Sequence, residues 1–249
     1  MTVTKTIPYR STFLAQEAAD AWKYFQEAGY PDSKNENWRF SNPTPWLNLY
    51  GERISSDNDF EEGLSSYIIP NSIPIIITNE KLVVPQSIPE GIQVINIDAA
   101  SKGKMSKDSF VDVADYHTSS FVAENTALFQ NYIFIHIAED IKPEHPIHLI
   151  HLVKAESGCR LFPRIHVNIA PGAEIEIWKT EIGLDNASHF INLVTEVVIC
   201  ENAHLKWTNS QEMNHNTGHI SSFNISLKKD ASAKYNSFEF GGGFVRNDI

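Results

Sequence analysis

The sequence contains few cysteines, and the two that it has are not paired in any motif. Cys159 and Cys200 lie far apart among the 249 residues and have no CxxC partner. This spacing excludes a disulfide framework and argues against a zinc or cluster site built from this chain alone. Neither cysteine has a Lys, Arg or His pair beside it in sequence to stabilise a thiolate. We therefore expect both in buried structural roles.

Basic residues and long apolar runs are also scarce. The chain has 20 Lys and Arg against 31 Asp and Glu, a net charge of 20 − 31 = −11. No Lys or Arg run offsets this charge, so we expect no binding to nucleic acid or to an anionic membrane. The N-terminal segment has no apolar signal core, and no later stretch is long and apolar enough to span a bilayer. These absences predict a cytoplasmic protein.

The common catalytic motifs are missing. The sequence has no GxSxG, HExxH or EF-hand pattern, and Gly103-Lys104-Met105 lacks the glycine loop and hydroxyl residue of a P-loop. Glu174 and Glu176 alternate with apolar residues and should project outward from one face of a strand. Paired carboxylates can hydrolyse glycosides, but an exposed solenoid face also needs outward charge for solubility. We predict no catalytic residues.

Histidine supplies one metal candidate. His145, His148 and His151 form HxxHxxH in a β-rich stretch. On a strand this spacing sends His148 to the face opposite His145 and His151, and two histidines without a carboxylate cluster make a weak site. We therefore predict no metal site and no cofactor bound by this chain alone. The other histidines considered are scattered, and solvent exposure is expected to account for them: His166, His204, His215 and His219.

The second half of the chain contains a repeat. Three segments, 165–177, 195–207 and 223–235, each show alternating apolar residues, a short break and a second alternating run. The breaks are centred on Gly172-Ala173, Asn202-Ala203 and Asp230-Ala231, and a weaker copy precedes them with Ile133, Ile135, Ile137 and Asp140. Period-2 spacing predicts strand, tight corner, strand. Stacked copies would bury a continuous core, so we predict a β-solenoid, with a sandwich or barrel as the alternative.

The first half is mixed. Helical spacing from Ser11 to Phe25, stopped by Gly29 and Pro31, predicts a helix, and helical spacing from Phe110 to Gln130 predicts a second. Pro43 and Pro45 predict an extended loop that pins its tryptophans against another surface. A hairpin is expected from Ile73 to Val84 and a third strand from Ile92 to Ile97. The segments 52–62 and 99–107 are expected to be a solvated turn or short helix and a linker.

Several motifs together resemble one family. Four segments carry the resemblance: Ala28-Gly29-Tyr30-Pro31 with Lys34, Glu36, Trp38-Arg39-Phe40 and Asn42; Phe121–Phe129; Pro171–Ile177; and the closing run Phe240–Ile249. They resemble the SufB/SufD-type family of iron–sulfur cluster assembly scaffolds. The cysteine motifs expected of SufB are absent, so the SufD subunits are the closer match. The resemblance extends from about Trp22 to the last residue.

The resemblance implies a fold and a function. The expected fold is an α+β N-terminal region, residues 1–130, followed by a mainly-β, right-handed parallel β-helix over 131–249 that is truncated at its C-terminal end. The expected function is that of a non-catalytic SufD-like scaffold of the SUF system. It would pair with a SufB-like protein and support a SufC-like ATPase, and the nascent cluster would form at the level of the complex. The alternative is a carbohydrate-active β-helix enzyme that uses surface carboxylates such as Glu174 and Glu176.

Overall fold

The computed structural model describes residues 15–49, 64–78, 82–96, 113–129, 132–154 and 158–249. Within them lie three α-helices, α1 (Ala15–Ala28), α2 (Thr44–Leu47) and α3 (Ser120–Leu128), and two 3₁₀ turns, Glu36–Trp38 and Leu64–Tyr67. The described strands are β1 (Ile73–Ile77), β2 (Leu82–Val83), β3 (Ile92–Asn96), β4 (Tyr132–Ile137), β5 (Ile147–Val153), β6 (Cys159–Leu161), β7 (Arg164–Ile169), β8 (Glu174–Gly183), β9 (His189–Ile199), β10 (His204–Glu212), β11 (Gly218–Leu227), β12 (Ser232–Glu239) and β13 (Phe244–Asp248).

The strands form two sheets between which the chain alternates. A six-stranded sheet has the order β12-β10-β8-β5-β1-β2, and a seven-stranded sheet has the order β13-β11-β9-β7-β4-β3, with β6 also paired to β9. Apart from the antiparallel pair of β3 and β4, each strand from β4 onward lies parallel to its neighbours in the sheet. Alternation with parallel stacking makes a β-solenoid of about four turns, as the repeat predicts.

The strand register is the one that the sequence repeat predicts. One row of the seven-stranded sheet runs through Ile133, Ile165, Thr195 and Phe223. A row of the six-stranded sheet runs through Ile177, Trp207 and Tyr235. These rows face each other in the interior apolar cluster, where Trp207 is 1% exposed. Stacking therefore buries the side chains that no single turn could bury alone.

The corners between the two sheets also stack. Asp140, Gly172, Asn202 and Asp230 occupy successive corners with φ of 59°, 71°, 56° and 57°. Only Gly, Asn and Asp adopt this left-handed conformation readily, which explains the break residues of the repeat. The N–H groups of the first three corners donate to carbonyls of the next turn, from Asp140 to Pro171 at 3.0 Å, from Gly172 to Glu201 at 3.0 Å and from Asn202 to Lys229 at 3.1 Å. The corners thus continue the hydrogen bonding of the sheets.

Strands from the first half of the chain begin the solenoid. β1 and β2 form the expected antiparallel hairpin, and β1 also pairs in parallel with β5. β3 lies in the other sheet, antiparallel to β4. Both sheets therefore start with strands that precede residue 130. The division of the chain into two regions at that residue stays a prediction.

The helices of the first half pack together outside the seven-stranded sheet. α1 ends at Ala28 and Gly29 follows with φ of 63°, so the predicted stop is confirmed. The prediction of a helix across 110–130 is wrong for the described residues 113–119. There the Asp115 carboxylate accepts the N–H of His117 at 2.9 Å, and the Asp115 carbonyl accepts the hydroxyl of Thr118, which favours a turn. α3 begins only after its cap, Ser119.

The proline-rich segment differs from its prediction in one respect. α2 begins at Thr44 and includes Pro45 in its first turn, where proline costs no helical hydrogen bond. The prediction of a purely extended loop is therefore wrong. The segments 52–62 and 99–107 lie outside the described residues. Within the part of the chain that the structure describes, no helix has the length and apolar character needed to cross a membrane.

Candidate functional site

A charged pair lies inside the solenoid. Lys179 and Glu181 follow Ile175 and Ile177 on the inward face of β8, and they are 2% and 0% exposed. The Lys179 ammonium forms an ion pair with Oε2 of Glu181. Lys and Glu are almost never fully buried unless they are paired. Lys179 and Glu181 therefore occupy the two inward positions of β8 after Ile177, where apolar side chains would be expected.

Two histidines share the other oxygen of Glu181. His151 on β5 has Nδ1 3.4 Å from Oε1, and His219 on β11 has Nε2 3.3 Å from the same atom. Burial raises the pKa of Glu181, but the charge of Lys179 and contacts with both histidines outweigh burial and hold that pKa well below its usual value. Burial lowers the pKa of His151. The centre thus holds an ionised carboxylate and a neutral His151 near neutral pH.

Hydrogen bonds lead from this pair to the edge of the six-stranded sheet. Lys179 Nζ donates to Asn209 Oδ1 at 3.3 Å, and Asn209 Nδ2 donates to Ser237 Oγ at 3.2 Å. The Ser237 hydroxyl donates to Glu239 Oε1 at 2.5 Å, and Glu239 is exposed. We call His151, His219, Glu181, Lys179, Asn209, Ser237 and Glu239 the polar file. Its residues come from β5, β8, β10, β11 and β12.

A second buried ion pair fixes α3 to the outside of the seven-stranded sheet. Arg160 donates to Glu124 Oε1 and to the hydroxyl of Tyr30, each at 2.7 Å, and Tyr30 donates to the same carboxylate at 2.5 Å. The guanidinium also lies 5.1 Å from the ring centroid of Phe190. Burial raises the pKa of Glu124 although Arg160 opposes the effect. Hydrogen bonding thus joins α3, β6 and the segment after α1.

A third pair fixes the segment before α3. Arg164 Nε donates to Glu196 Oε1 at 2.9 Å, while Oε2 of Glu196 accepts the N–H groups of Val113 and Ala114 at 2.9 and 3.0 Å. Burial raises the pKa of Glu196, but Arg164 and these N–H groups outweigh it, so the pKa is lowered. Arg164 also donates to Thr126 on α3 at 2.8 Å. The helical layer is held to the solenoid by charge as well as by apolar contact.

Motifs from the two ends of the chain meet on the solenoid. The guanidinium of Arg246 lies 4.1 Å from the ring centroid of Trp38, and its Nη1 donates to the carbonyl of Asn37 at 2.8 Å. Trp46 donates from Nε1 to the carbonyl of Asn216 at 2.9 Å. The prediction that this loop pins its tryptophans against another surface is confirmed.

Glycines make this contact possible. A Cβ at Gly218 would lie 2.6 Å from Cγ of Trp46, and one at Gly243 would overlap the carbonyl of His215. A Cβ at Gly241 would overlap the carbonyl of Met213. Only glycine leaves room for so close an approach. Gly241 and Gly243 therefore allow close backbone contacts with the chain around Met213 and His215.

The strands β12 and β13 are outermost in their sheets. Large apolar side chains near them are exposed: Leu227 at 50%, Phe238 at 50%, Phe240 at 70% and Ile249 at 78%. An outermost strand leaves N–H and C=O groups available to another strand. This edge combines backbone hydrogen-bonding capacity with apolar side chains, and we call it the β12–β13 edge.

The histidine predictions have a mixed outcome. His148 faces outward and His151 inward, as predicted, and His145 precedes β5. His148 is nevertheless buried. Both of its ring nitrogens are hydrogen-bonded, Nδ1 to the N–H of Ile69 at 3.3 Å and Nε2 to the hydroxyl of Thr180 at 2.9 Å. Burial lowers its pKa to about 4.

The prediction that the scattered histidines are exposed to solvent is correct for only half of them. His204 and His215 are exposed, but His166 and His219 are 1% and 0% exposed, so that prediction is wrong for both. His219 has the same parity as Phe223 on β11, which the repeat places inward. Extending that row toward the start of the strand would have found it. In the same way, Lys179 and Glu181 continue the row of Ile177.

The paired glutamates of the alternative hypothesis are both engaged. Glu174 accepts from Lys142 Nζ at 2.7 Å, and Glu176 accepts from Nε1 of Trp178 at 2.6 Å. Neither carboxylate is buried, and the contact with Lys142 lowers the pKa of Glu174. Among the described residues, no three His, Cys, Asp or Glu side chains group as a metal site.

Two comparisons with known proteins find similar sequences. Residues 151–249 match the family model described as SUF system FeS cluster assembly, SufBD core domain. The chain is 24% identical over 231 residues to the iron-sulfur cluster assembly protein SufD of Escherichia coli (strain K12), across 88% of this chain and 51% of that protein. The chain therefore spans about half the length of this curated relative.

The matched core-domain residues include all the strands from β6 to β13. The match thus covers the part of the solenoid in which the polar file and the β12–β13 edge lie. The chain is thus similar to the SufBD core domain over residues 151–249, and to one SufD protein over most of its own length.

Proposed function

We propose that this chain is a scaffold component of the SUF system of iron–sulfur cluster assembly. In this proposal it is SufD-like and non-catalytic, pairs with a SufB homologue and supports a SufC-like ATPase in the cytoplasm. The observation that carries the proposal is the core-domain match, which coincides with the stacked turns of the solenoid. The nascent cluster belongs to the complex and is cargo, since no residue of this chain is assigned to it.

The β12–β13 edge supports a function in which the chain binds another protein. A solenoid is extended when strands are added in register. β10 and β11 pair in parallel with β12 and β13 through one of their edges, and β12 and β13 can bind further strands through their outer edges in the same way. Phe238 and Phe240 add apolar area beside this edge. We infer that a strand of a SufB homologue docks there by strand addition.

The acidic surface is consistent with protein partners. With a net charge of −11 the chain repels nucleic acid and anionic lipid, whereas a protein with basic patches would be attracted. The charged groups of the interior are already paired. A scaffold that binds other proteins is therefore better supported than an enzyme that uses a pair of carboxylates.

Co-expression with the SufB and SufC homologues of the source organism tests the proposal. The chain as its gene encodes it carries an affinity tag, and the captured material is analysed by size-exclusion chromatography with light scattering. We expect a heteromeric complex of defined mass. Capture of neither homologue would contradict the proposal, and activity on a panel of polysaccharides, lost in Glu174→Gln/Glu176→Gln, would then favour the alternative.

A matched pair of variants locates the contact. Phe240→Glu places a charge beside the β12–β13 edge, and Val83→Glu places one on β2 at the opposite end of the same sheet, where Val83 is 43% exposed. We expect Phe240→Glu to weaken capture of the SufB homologue and Val83→Glu to leave it unchanged. The reverse pattern would place the contact at the β2 end.

A further inference from the structure

Two side chains with complementary chemistry stand side by side within the solenoid. β6 pairs in parallel with β9, so that Cys159 lies beside His189 and Leu161 lies beside Ile191. Leu161 and Ile191 belong to the interior apolar cluster. Because side chains alternate along a strand, Cys159 and His189, two residues earlier, face the same interior. Register thus brings a thiol and an imidazole together from positions 30 residues apart.

A carboxylate orients the imidazole. Nε2 of His189 is hydrogen-bonded to Oδ1 of Asp185 at 2.8 Å. Asp185 is itself held, because the N–H of Ala187 donates to the same Oδ1 at 2.9 Å and Asn214 donates to the Asp185 carbonyl at 2.9 Å. A carboxylate in this place fixes the proton on Nε2 and leaves the lone pair on Nδ1.

The second ring nitrogen is buried and available. His189 is 0% exposed, and its Nδ1 has no hydrogen-bond partner within the part of the chain that the structure describes. A buried polar atom without a partner is costly and calls for an explanation. Since Nε2 is turned to Asp185, Nδ1 is the nitrogen left for the thiol of Cys159 on the neighbouring strand; the two are not hydrogen-bonded in this structure, so a side-chain rotation brings them together before the proton moves.

We propose that Cys159 is a nucleophilic thiol served by His189 as base, with Asp185 as the residue that positions the base, and that it reacts with small neutral hydroperoxides. The thiol proton passes to Nδ1 of His189, and the thiolate attacks one oxygen of the peroxide. An S–O bond forms while the O–O bond breaks, so sulfur is oxidised to a sulfenic acid. The leaving oxygen takes the proton from Nδ1 and departs as water or an alcohol.

Burial defines the class of reagent. Cys159 is 2% exposed, so bulky or charged oxidants and disulfides are excluded while a molecule the size of hydrogen peroxide can reach it during small local openings. An isolated thiol buried among apolar groups is inert, and the imidazole at its side is what distinguishes Cys159.

Cys200 is the matched control within the same chain. It is more exposed than Cys159, and burial and the charge of Glu201 both raise its pKa. Exposure alone therefore predicts that Cys200 reacts faster, whereas the proposed site predicts the opposite order. No other cysteine is present to confuse the measurement.

The experiment uses the variants Cys200→Ser and Cys159→Ser, each of which leaves one thiol. Hydrogen peroxide is added to the folded protein between pH 5.5 and 9, and sulfenic acid trapped by dimedone is measured by intact mass. At pH 6.5 we expect Cys159 to react about tenfold faster than Cys200 or more, because an unassisted thiol is only about 1% thiolate there. A rate for Cys159 at or below that of Cys200 would overturn the proposal.

Two further variants, His189→Gln and Asp185→Asn, are each made in the Cys200→Ser protein. They separate activation of the Cys159 thiol by His189 from access of the peroxide to Cys159. In folded variants we expect His189→Gln to remove the reactivity of Cys159 below pH 7 and Asp185→Asn to shift its pH profile upward. An unchanged profile in both would show that His189 does not serve as base and would sink the proposal. If neither variant folds, the pH profile of Cys159 against Cys200 decides the matter by itself.

Discussion

The guanidinium of Arg246 lies 4.1 Å from the ring centroid of Trp38 and joins the two ends of the chain. Trp38 belongs to the Trp-Arg-Phe motif after α1, and Arg246 follows the glycine run near the last strand. Two sequence motifs that carry the family resemblance are thus one structural unit. Trp46 of α2 packs against Gly218 of β11 and against Gly243, which directly precedes β13, and both glycines leave it room.

A double-mutant cycle on this pair should show coupling. Trp38→Ala alone should lower the free energy of unfolding by about 3–5 kcal/mol, the usual cost of removing a buried tryptophan. Arg246→Ala should cost about 1–2 kcal/mol, because it removes the cation–π contact and a hydrogen bond to Asn37.

The cycle is measured by urea unfolding at neutral pH. We expect the two losses to be non-additive by about 0.5–2 kcal/mol. Arg39→Ala is the matched control, since Arg39 lies over the exposed ring of Phe40 and should cost under about 0.5 kcal/mol. Strict additivity of Trp38→Ala and Arg246→Ala would contradict the contact.

The buried pair of Lys179 and Glu181 should behave as a unit. Lys179→Met leaves an uncompensated carboxylate in the interior and should cost about 3–5 kcal/mol of unfolding free energy. Lys179→Met/Glu181→Leu removes both charges and should recover most of that loss. Chemical denaturation of the three proteins under one condition provides the comparison.

The surface offers a control for this pair. Lys142→Met breaks an exposed ion pair with Glu174 and should change stability by under about 0.5 kcal/mol. If Lys179→Met cost no more than Lys142→Met, the interior pair would not carry the role assigned to it. A double variant as unstable as the single one would argue that the polar file needs both charges.

The left-handed corners predict opposite effects for two substitutions at one position. Asn202 has φ of 56°, so Asn202→Gly should be neutral or slightly stabilising. Asn202→Val forces a β-branched residue into the same conformation and should cost about 1–2 kcal/mol. Thermal unfolding of the two variants tests this, and equal melting temperatures would contradict the corner geometry.

Buried His166 predicts a loss of stability in mild acid. Burial lowers its pKa to about 4, opposed by Glu196 and assisted by Arg164. Since the unfolded chain takes up a proton near the usual histidine pKa and the folded chain does not, stability is full above about pH 6.5 and is lost as pH falls toward about 4. For this one group the loss is at most about 3 kcal/mol.

Urea unfolding at pH 7 and at pH 5 measures this effect. The fall in unfolding free energy between the two pH values should be smaller in His166→Gln than in the unchanged protein. His215→Gln, at an exposed position, should leave the fall unchanged. If His166→Gln and His215→Gln behaved alike, His166 would not be the titrating group.

The sequence predicted the solenoid well because its repeat carries three signals at once. Alternation predicts the strands, the break residues predict the left-handed corners, and the spacing predicts which rows stack, such as Ile165 on Thr195 and Thr195 on Phe223. Each signal is local, and stacking repeats it in every turn. The first half has no repeat, so the start of α3 and the short helix α2 at the prolines were predicted less well.

The clusters inside the fold could not be predicted with the same ease. Lys179, Glu181 and His219 lie on inward rows, but charged residues on a strand normally indicate its solvent face. Recognising them requires the partners that neighbouring turns bring, such as His151 for Glu181. The pairing of Cys159 with His189 likewise depends on the register of β6 and β9, which no local pattern encodes.

The scaffold proposal is tested most directly by cluster formation on the assembled complex. The SufB and SufC homologues are purified with and without this chain as its gene encodes it, reconstituted anaerobically with iron and sulfide, and assayed for bound iron and for cluster absorbance. The account predicts more cluster on the complex that contains the chain, and no stable cluster on the chain alone. Equal cluster content with and without the chain, or a stable cluster on the chain by itself, would contradict it.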